Sequence, residues 1–173
     1  MNRRFALLSL LATALVAGPA VHAQTNTPPA VSVSYDHPEK FTETRTTRAL
    51  APSRQDSHYL DTLKTYIEKK AAPLLTHGER LEIVVTDVDL AGGFEPWHGP
   101  QWSNVRVVKD IYPPRIDLHF RLLDAQGDVL REGQRVLRDP GFLQGGGANL
   151  RSDSLHYEKN LIDRWLRRGL DKL

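Results

Sequence analysis

Residues 79–90 read ERLEIVVTDVDL and form the most strand-like stretch of the chain. Residues 83–85 at its centre are apolar on both faces of an extended backbone, which is typical of a central strand covered on two sides. Beyond them, Asp87 and Asp89 share one face of the strand and Val88 lies on the other, because side chains alternate along a strand. This stretch predicts the middle of a sheet that ends in two carboxylates.

Four further stretches are predicted to pair around this strand. Residues 115–123 alternate cleanly between apolar and polar side chains, as a half-buried strand does. In residues 129–137 the apolar side chains do not keep to one face of a regular strand, which predicts a bulge near Gly133. Weaker patterns over residues 31–35 and 105–112 predict two more strands. The expected sheet therefore has about five strands, and it is mixed and mostly antiparallel.

Two amphipathic helices complete the expected fold. The first has apolar residues at helical spacing, and Pro73 is expected to loosen its last turn. Its apolar stripe consists of Leu60, Leu63, Ile67, Ala71 and Leu74. The second helix spans about residues 154–170. Residues 37–53 are polar, and no regular structure is predicted for them. The order β-α-β-β-β-β-α predicts an α+β fold in which residues 31–173 form one domain.

The first 23 residues have the order of a secretory signal peptide. Arg3 and Arg4 precede an apolar run of 13 residues, and small residues end at a cleavage position after Ala23. A membrane span needs about 20 apolar residues, so the run of 13 is too short to be one. No membrane span is therefore expected after cleavage. Residues 24–30 read as a flexible leader. These features predict an exported, periplasmic protein.

Charge and cysteine content exclude several classes of function. Residues 24–173 contain 21 basic and 21 acidic side chains, because the predicted signal peptide contains two arginines and no acid. Nucleic-acid binding normally requires a basic surplus, so no nucleic-acid partner is expected. The chain has no cysteine, which excludes disulfides, thiol nucleophiles and iron–sulfur clusters. Hydrolase signatures are also missing, and no catalytic residue is predicted.

One constellation of charged residues could bind a metal. Two pairs, each spaced two residues apart on a predicted strand, would present three carboxylates and an imidazole: Asp87, Asp89, Asp117 and His119. If their faces coincide, they could hold a divalent cation, with Glu95 or His98 as a further ligand. The alternative is a solvated sheet face on which these side chains pair with neighbouring arginines. Apart from this metal, no cofactor is expected.

The connection formed by residues 91–104 is the stronger candidate for binding. It concentrates four ring-bearing side chains between glycines and prolines: Phe94, Trp97, His98 and Trp102. Indole rings stack on sugar faces and are enriched at interaction hot spots. The alternative is that these rings fold inward and close one end of the core.

Three weaker motifs are also present. Residues 87–98 resemble the start of a calcium loop but lack the required ligands at its fifth and twelfth positions. A glycine-rich stretch at residues 145–149 precedes the last helix but lacks the lysine of a phosphate loop. Glu158 and Lys159 could be catalytic, but an exposed ion pair on the helix surface is the default expectation.

Three stretches together carry a family resemblance: VTDVDLAG at residues 85–92, RVVKDIYPPRI at residues 106–116, and YEK at residues 157–159 with Trp165. With the signal peptide in front, the chain resembles small exported proteobacterial proteins grouped as domain of unknown function 3016. The resemblance implies a periplasmic protein of the bacterial envelope, and it offers no activity, ligand or catalytic residue to carry over to this chain.

The function expected from the sequence is binding without catalysis. The 91–104 loop and the adjacent end of the sheet would contact another envelope protein or a glycan. The alternative is a metal-dependent periplasmic enzyme that uses the four residues of the metal constellation.

Overall fold

A computed structural model of the chain describes residues 29–52, 58–145 and 153–168. The predicted signal peptide, most of the predicted leader and most of the 145–149 stretch lie outside these ranges. In chain order the elements are β1 (Val31–Tyr35), α1 (Thr42–Leu50), α2 (His58–Ala71), β2 (Arg80–Asp89), β3 (Gly93–Phe94), β4 (Arg106–Val107), β5 (Arg115–Leu123), β6 (Val129–Arg138) and α3 (His156–Leu166).

The α+β class and the mixed sheet are confirmed. The strand order is β1-β2-β5-β6, with β1 parallel to β2 and the other two pairs antiparallel. The predicted fifth strand at residues 105–112 is wrong, because only β4 is extended there and it pairs with β3 in a separate two-stranded ladder. Val105, Val108 and Ile111 all expose their side chains, so this stretch has no buried face that would hold it in the main sheet.

The described ranges contain three α-helices, whereas two were predicted. Both predicted helices are present, and the first ends in a 3₁₀ turn at Ala72–Leu74 as Pro73 requires. The additional helix is α1, which lies in the segment predicted to be irregular. Its threonines are poor helix formers, so its stability comes from contacts with the rest of the fold.

The hydrophobic core lies on one face of the main sheet. Helices α2 and α3 cover that face with Leu63, Ile67 and Ile162, which are at most 2% exposed. The opposite face is open: Val84 is 37% exposed, and its partner on β5, His119, is also exposed. The expectation that residues 83–85 are covered on both sides is therefore wrong. Within the described ranges, no helix is long and apolar enough to cross a membrane.

Two irregularities shape the strands. Thr86 is an extra residue in β2, and Leu130 is an extra residue in β6, so the bulge predicted near Gly133 lies at Leu130. Gly133 instead pairs in register with Phe120, where an added Cβ would lie 3.2 Å from the phenyl ring. The absent side chain leaves room for Arg135, whose guanidinium lies 5.0 Å from the centre of that ring.

Candidate functional site

The strand register separates the four residues of the predicted metal site. Asp87 lies opposite Asp117, but Asp89 lies opposite Arg115 and His119 lies opposite Val84. Arg115, the residue of β5 opposite Asp89, is four positions from His119, which corresponds to roughly 13 Å along the strand. The described part of the chain contains no group of three or more histidine or acidic side chains able to hold a metal ion.

Two of these carboxylates already have structural partners. Asp87 accepts hydrogen bonds from the backbone N–H of Thr42 at 2.6 Å and from its hydroxyl at 2.7 Å. A carboxylate at this position satisfies a free amide at the start of α1 and complements the helix dipole. Asp117 accepts a two-pronged hydrogen bond from Arg115, with Nε at 2.9 Å from Oδ1. Both contacts stabilise the fold, so the metal interpretation gains no support.

The end of the sheet carries a cleft that we call the Asp89 cleft. Its volume is about 370 Å³. It lies between helix α1, the adjacent ends of strands β2, β5 and β6, and the loop after β2. Its lining includes Asp89, Phe94, Trp97, Tyr112, Arg115 and Arg138. Volumes of roughly 300–1,000 Å³ are typical of small-molecule sites. The cleft therefore combines the predicted loop with the predicted end of the sheet.

Asp89 is the unusual group in this cleft. Its partly buried carboxyl group has no hydrogen-bond or ion-pair partner among the described residues. Burial above all, together with the nearby carboxylates of Glu43 and Asp87, raises the pKa of Asp89 to about 6, and the guanidinium groups of Arg106 and Arg115 oppose this shift. A carboxyl group with this pKa can both donate and accept hydrogen bonds near neutral pH.

Asp89→Asn is expected to stabilise the protein at neutral pH. The folded-state pKa of about 6 lies above the ordinary value of 3.8, so stability falls as pH rises between these two values. The amide carries no charge, and it should raise the free energy of unfolding by about 1–2 kcal/mol near pH 7.5 after allowance for solvent screening. Near pH 3.5 the variant and the wild type should differ little. Urea denaturation across this pH range measures the effect.

The exposed Asp128→Asn variant is the control for this experiment. It removes the same charge from a turn, where the side chain lies in solvent. A pH-independent difference between Asp89→Asn and the wild type would contradict the raised pKa of Asp89.

A buried carboxylate holds the loop that carries Trp97. Both oxygens of Glu95 accept hydrogen bonds from the Lys109 ammonium at 2.7 Å, and one oxygen accepts the Tyr112 hydroxyl at 3.1 Å. His98 lies 3.1 Å from the same carboxylate. These contacts, Lys109 above all, lower the pKa of Glu95. The cluster fixes the backbone on both sides of Trp97.

The structure separates the four predicted ring residues. Trp97 is 66% exposed at the edge of the Asp89 cleft, and Trp102 is 41% exposed but does not line the cleft. His98 is exposed and faces Glu95. Phe94 is only 3% exposed, and the Arg106 guanidinium lies 4.6 Å from the centre of its ring. Phe94 therefore supports the cleft from within, and of these four rings Trp97 is the exposed one that lines the cleft.

A buried ion pair behind the cleft was not predicted from the sequence. Arg106 donates to the carboxylate of Glu43, which is 5% exposed, and to the carbonyl of Gly92 at 2.9 Å. Glu43 also accepts the backbone N–H of Leu90 at 3.2 Å and the hydroxyl of Thr47 at 2.7 Å. This cluster, which we call the Glu43–Arg106 pair, attaches the loop after β2 to α1.

Glu158 is also buried, so the expectation of an exposed pair with Lys159 is wrong. The side chain is 1% exposed, and its Oε1 accepts the backbone N–H of Ala91 at 2.7 Å. Its Oε2 has no hydrogen-bond partner within the described residues, and burial raises the pKa of this carboxyl group. Lys159 instead forms an ion pair with Asp153 at 2.7 Å. Glu158 therefore joins α3 to the loop after β2.

Residues 29–168 match the family described as "Protein of unknown function (DUF3016)". The chain belongs to this family. No curated protein and no solved structure matches it. In this DUF3016 chain, the three stretches that carry the resemblance meet in space, because Arg106 bonds the carbonyl of Gly92 and Glu158 bonds the amide of Ala91. The motif residues thus hold the loop that forms one wall of the Asp89 cleft.

Proposed function

We propose that the protein is an exported binding protein of the bacterial envelope that takes its ligand in the Asp89 cleft. The observation that carries this proposal is the position of Trp97, an indole that is 66% exposed at the edge of a cleft whose Asp89 carboxyl group has no partner among the residues that the structure describes. A large exposed ring held by a buried polar cluster is typical of a binding surface. Export rests on the pattern of residues 1–23 and predicts a mature chain that begins at Gln24.

The lining of the cleft favours a glycan as the ligand. The faces of sugar rings pack on indoles, while sugar hydroxyls need acceptors and donors beside the ring. Asp89 supplies a carboxyl group without a partner, and Arg138 supplies a guanidinium that also has none among the described residues. Arg138 lies opposite Arg115 in the sheet, and a ligand oxygen would relieve the repulsion between these like charges.

The test compares two variants of the same loop. Trp97→Ala is expected to weaken binding to an array of bacterial envelope glycans by at least about tenfold, because a central aromatic contact is worth about 2 kcal/mol and a tenfold change corresponds to about 1.4 kcal/mol. Trp102→Ala removes an indole from the same loop but outside the cleft, and it should leave affinity unchanged. Calorimetric titration of the selected glycan into the mature wild-type chain and into each variant measures the affinities.

A second candidate for the ligand is a protein partner that binds outside the cleft. Trp102, Val105 and Val108 are each more than 40% exposed, which is the observation that favours such a partner. Loss of binding to an envelope protein in Trp102→Ala, with Trp97→Ala unaffected, would place the interface outside the cleft. Binding of no glycan by the wild type would overturn the glycan proposal.

A further inference from the structure

A row of three charged side chains runs across the sheet end of the Asp89 cleft. Asp89 on β2 pairs with Arg115 on β5, and Arg115 pairs with Arg138 on β6. Residues that lie opposite one another in a sheet project from the same face, and all three line the cleft. Neighbouring strands are about 4.8 Å apart, so the backbones of Asp89 and Arg138 are roughly 10 Å apart. Asp89 and Arg138 therefore lie on either side of Arg115.

The two arginines of this row differ in their contacts. Arg115 donates a two-pronged hydrogen bond to Asp117 on the same strand. Arg138 is exposed and has no hydrogen-bond or ion-pair partner among the described residues. Its cross-strand neighbour Arg115 carries a like charge, and like charges on directly opposite residues are destabilising. Arg138 is therefore available for an anionic group of a ligand.

The carboxylates near the cleft are bound elsewhere, with the exception of Asp89. Glu43 on α1 pairs with Arg106, and Asp87 accepts the backbone amide and the hydroxyl of Thr42. None of these contacts reaches Arg138, which stands at the opposite end of the row from Asp89. The cleft thus offers a guanidinium at one end of the row and a carboxyl group at the other.

We propose that the Asp89 cleft selects a sugar residue that carries a carboxylate, an inference that rests on the proposed function. A planar carboxylate matches one guanidinium in two-pronged geometry. With the sugar ring packed on Trp97, the carboxylate would bind Arg138 and a ring hydroxyl would bind Asp89. The spacing of roughly 10 Å between the two backbones suits one pyranose ring with its substituents.

Charge favours a carboxylate over a phosphate ester or an amine. A phosphomonoester carries a charge of about −2, and its second charge would lie near the carboxyl groups of Asp89 and Asp87. An amine would be attracted to Asp89, but Arg115 and Arg138 in the same row would repel it. A single negative charge placed at Arg138 avoids both penalties.

Three related sugars provide matched probes for this selection. N-acetylmuramic acid is N-acetylglucosamine with an added lactyl ether that carries one carboxylate, and its methyl ester keeps the size but removes the charge. Each sugar is titrated into the mature chain while the indole N–H signal of Trp97 is followed by NMR. The acid is expected to bind at least about tenfold more tightly than either neutral sugar, because hydrogen bonds between charged groups are among the strong ones.

Matched variants test whether Arg138 makes the selection. Arg138→Gln is expected to lose the tenfold preference but to bind N-acetylglucosamine as the wild type does, which separates lost selectivity from damage to the cleft. Arg131→Gln removes the same charge from an exposed position of β6 that does not line the cleft, and it should keep the preference. Trp97→Ala should weaken the binding of all three sugars.

Three results would overturn this inference. They are equal affinities of the wild type for the acid and its methyl ester, an unchanged preference in Arg138→Gln, and loss of the neutral sugars together with the acid in that variant. Equal affinities that Trp97→Ala lowers would refute the carboxylate and leave the proposed function standing. Binding of none of the three sugars by the wild type would overturn both.

Discussion

Glu43→Ala is expected to lower the free energy of unfolding by about 3–5 kcal/mol, because it removes one partner of a buried ion pair. The substitution leaves the Arg106 guanidinium, whose side chain is 20% exposed, without its carboxylate. It also removes the acceptor of the Leu90 amide and of the Thr47 hydroxyl. Unsatisfied buried groups of this kind are destabilising by themselves. Urea denaturation of the mature chain measures the loss.

Glu82→Ala provides the matched control. Glu82 forms an ion pair with Arg121 at 3.2 Å, but the two side chains are 42% and 51% exposed. An exposed pair contributes at most about 1 kcal/mol, because water screens both charges. Similar losses in the two variants would show that the Glu43–Arg106 pair does not hold the loop to α1. Loss of ligand in the Asp89 cleft should accompany Glu43→Ala and not Glu82→Ala.

The main sheet could be predicted because its signal is local. The side chains of β5 alternate, and its four inward residues, Ile116, Leu118, Phe120 and Leu122, are all at most 6% exposed. A period of two fixes both the extended backbone and the face that is buried. The same reasoning failed for residues 105–112, where no period separates a buried face from an exposed one.

Helix α1 could not be predicted because its causes are distant in sequence. Its first amide is satisfied by Asp87, 45 residues away, and Glu43 on its first turn is buried by Arg106. A polar stretch of threonines contains no sign of either contact. The open face of β2 was not predicted either, because the three successive apolar residues 83–85 do not show whether a second layer covers the sheet.

The position of the candidate site was predicted more fully than its chemistry. The 91–104 loop and the sheet end do meet in the Asp89 cleft, and Trp97 is exposed there. The sequence could not rank Trp97 above Phe94, because both are aromatic and only the fold places one of them under Arg106. Nor could it show that Asp87 has a partner while Asp89 has none in the described part of the chain, which depends on the register of β2 with β5 and on α1.

Glu158→Ala tests the contact by which α3 holds the loop after β2. The substitution removes the acceptor of the Ala91 amide and leaves a cavity where a fully buried side chain had been, so a loss of about 2–4 kcal/mol is expected. Glu158→Gln keeps a carbonyl oxygen for that amide and should stay within about 1 kcal/mol of the wild type.

The pH dependence of these two proteins separates a buried neutral carboxyl group from a charged one. Because burial raises the pKa of Glu158, the wild type loses stability as pH rises above the ordinary glutamate value of 4.5, whereas the amide variant lacks this loss. The stability of Glu158→Gln relative to the wild type should therefore increase from acidic to neutral pH in urea denaturation. A constant difference across that range would mean that Glu158 titrates as an exposed glutamate does, which its burial beside Ala91 argues against.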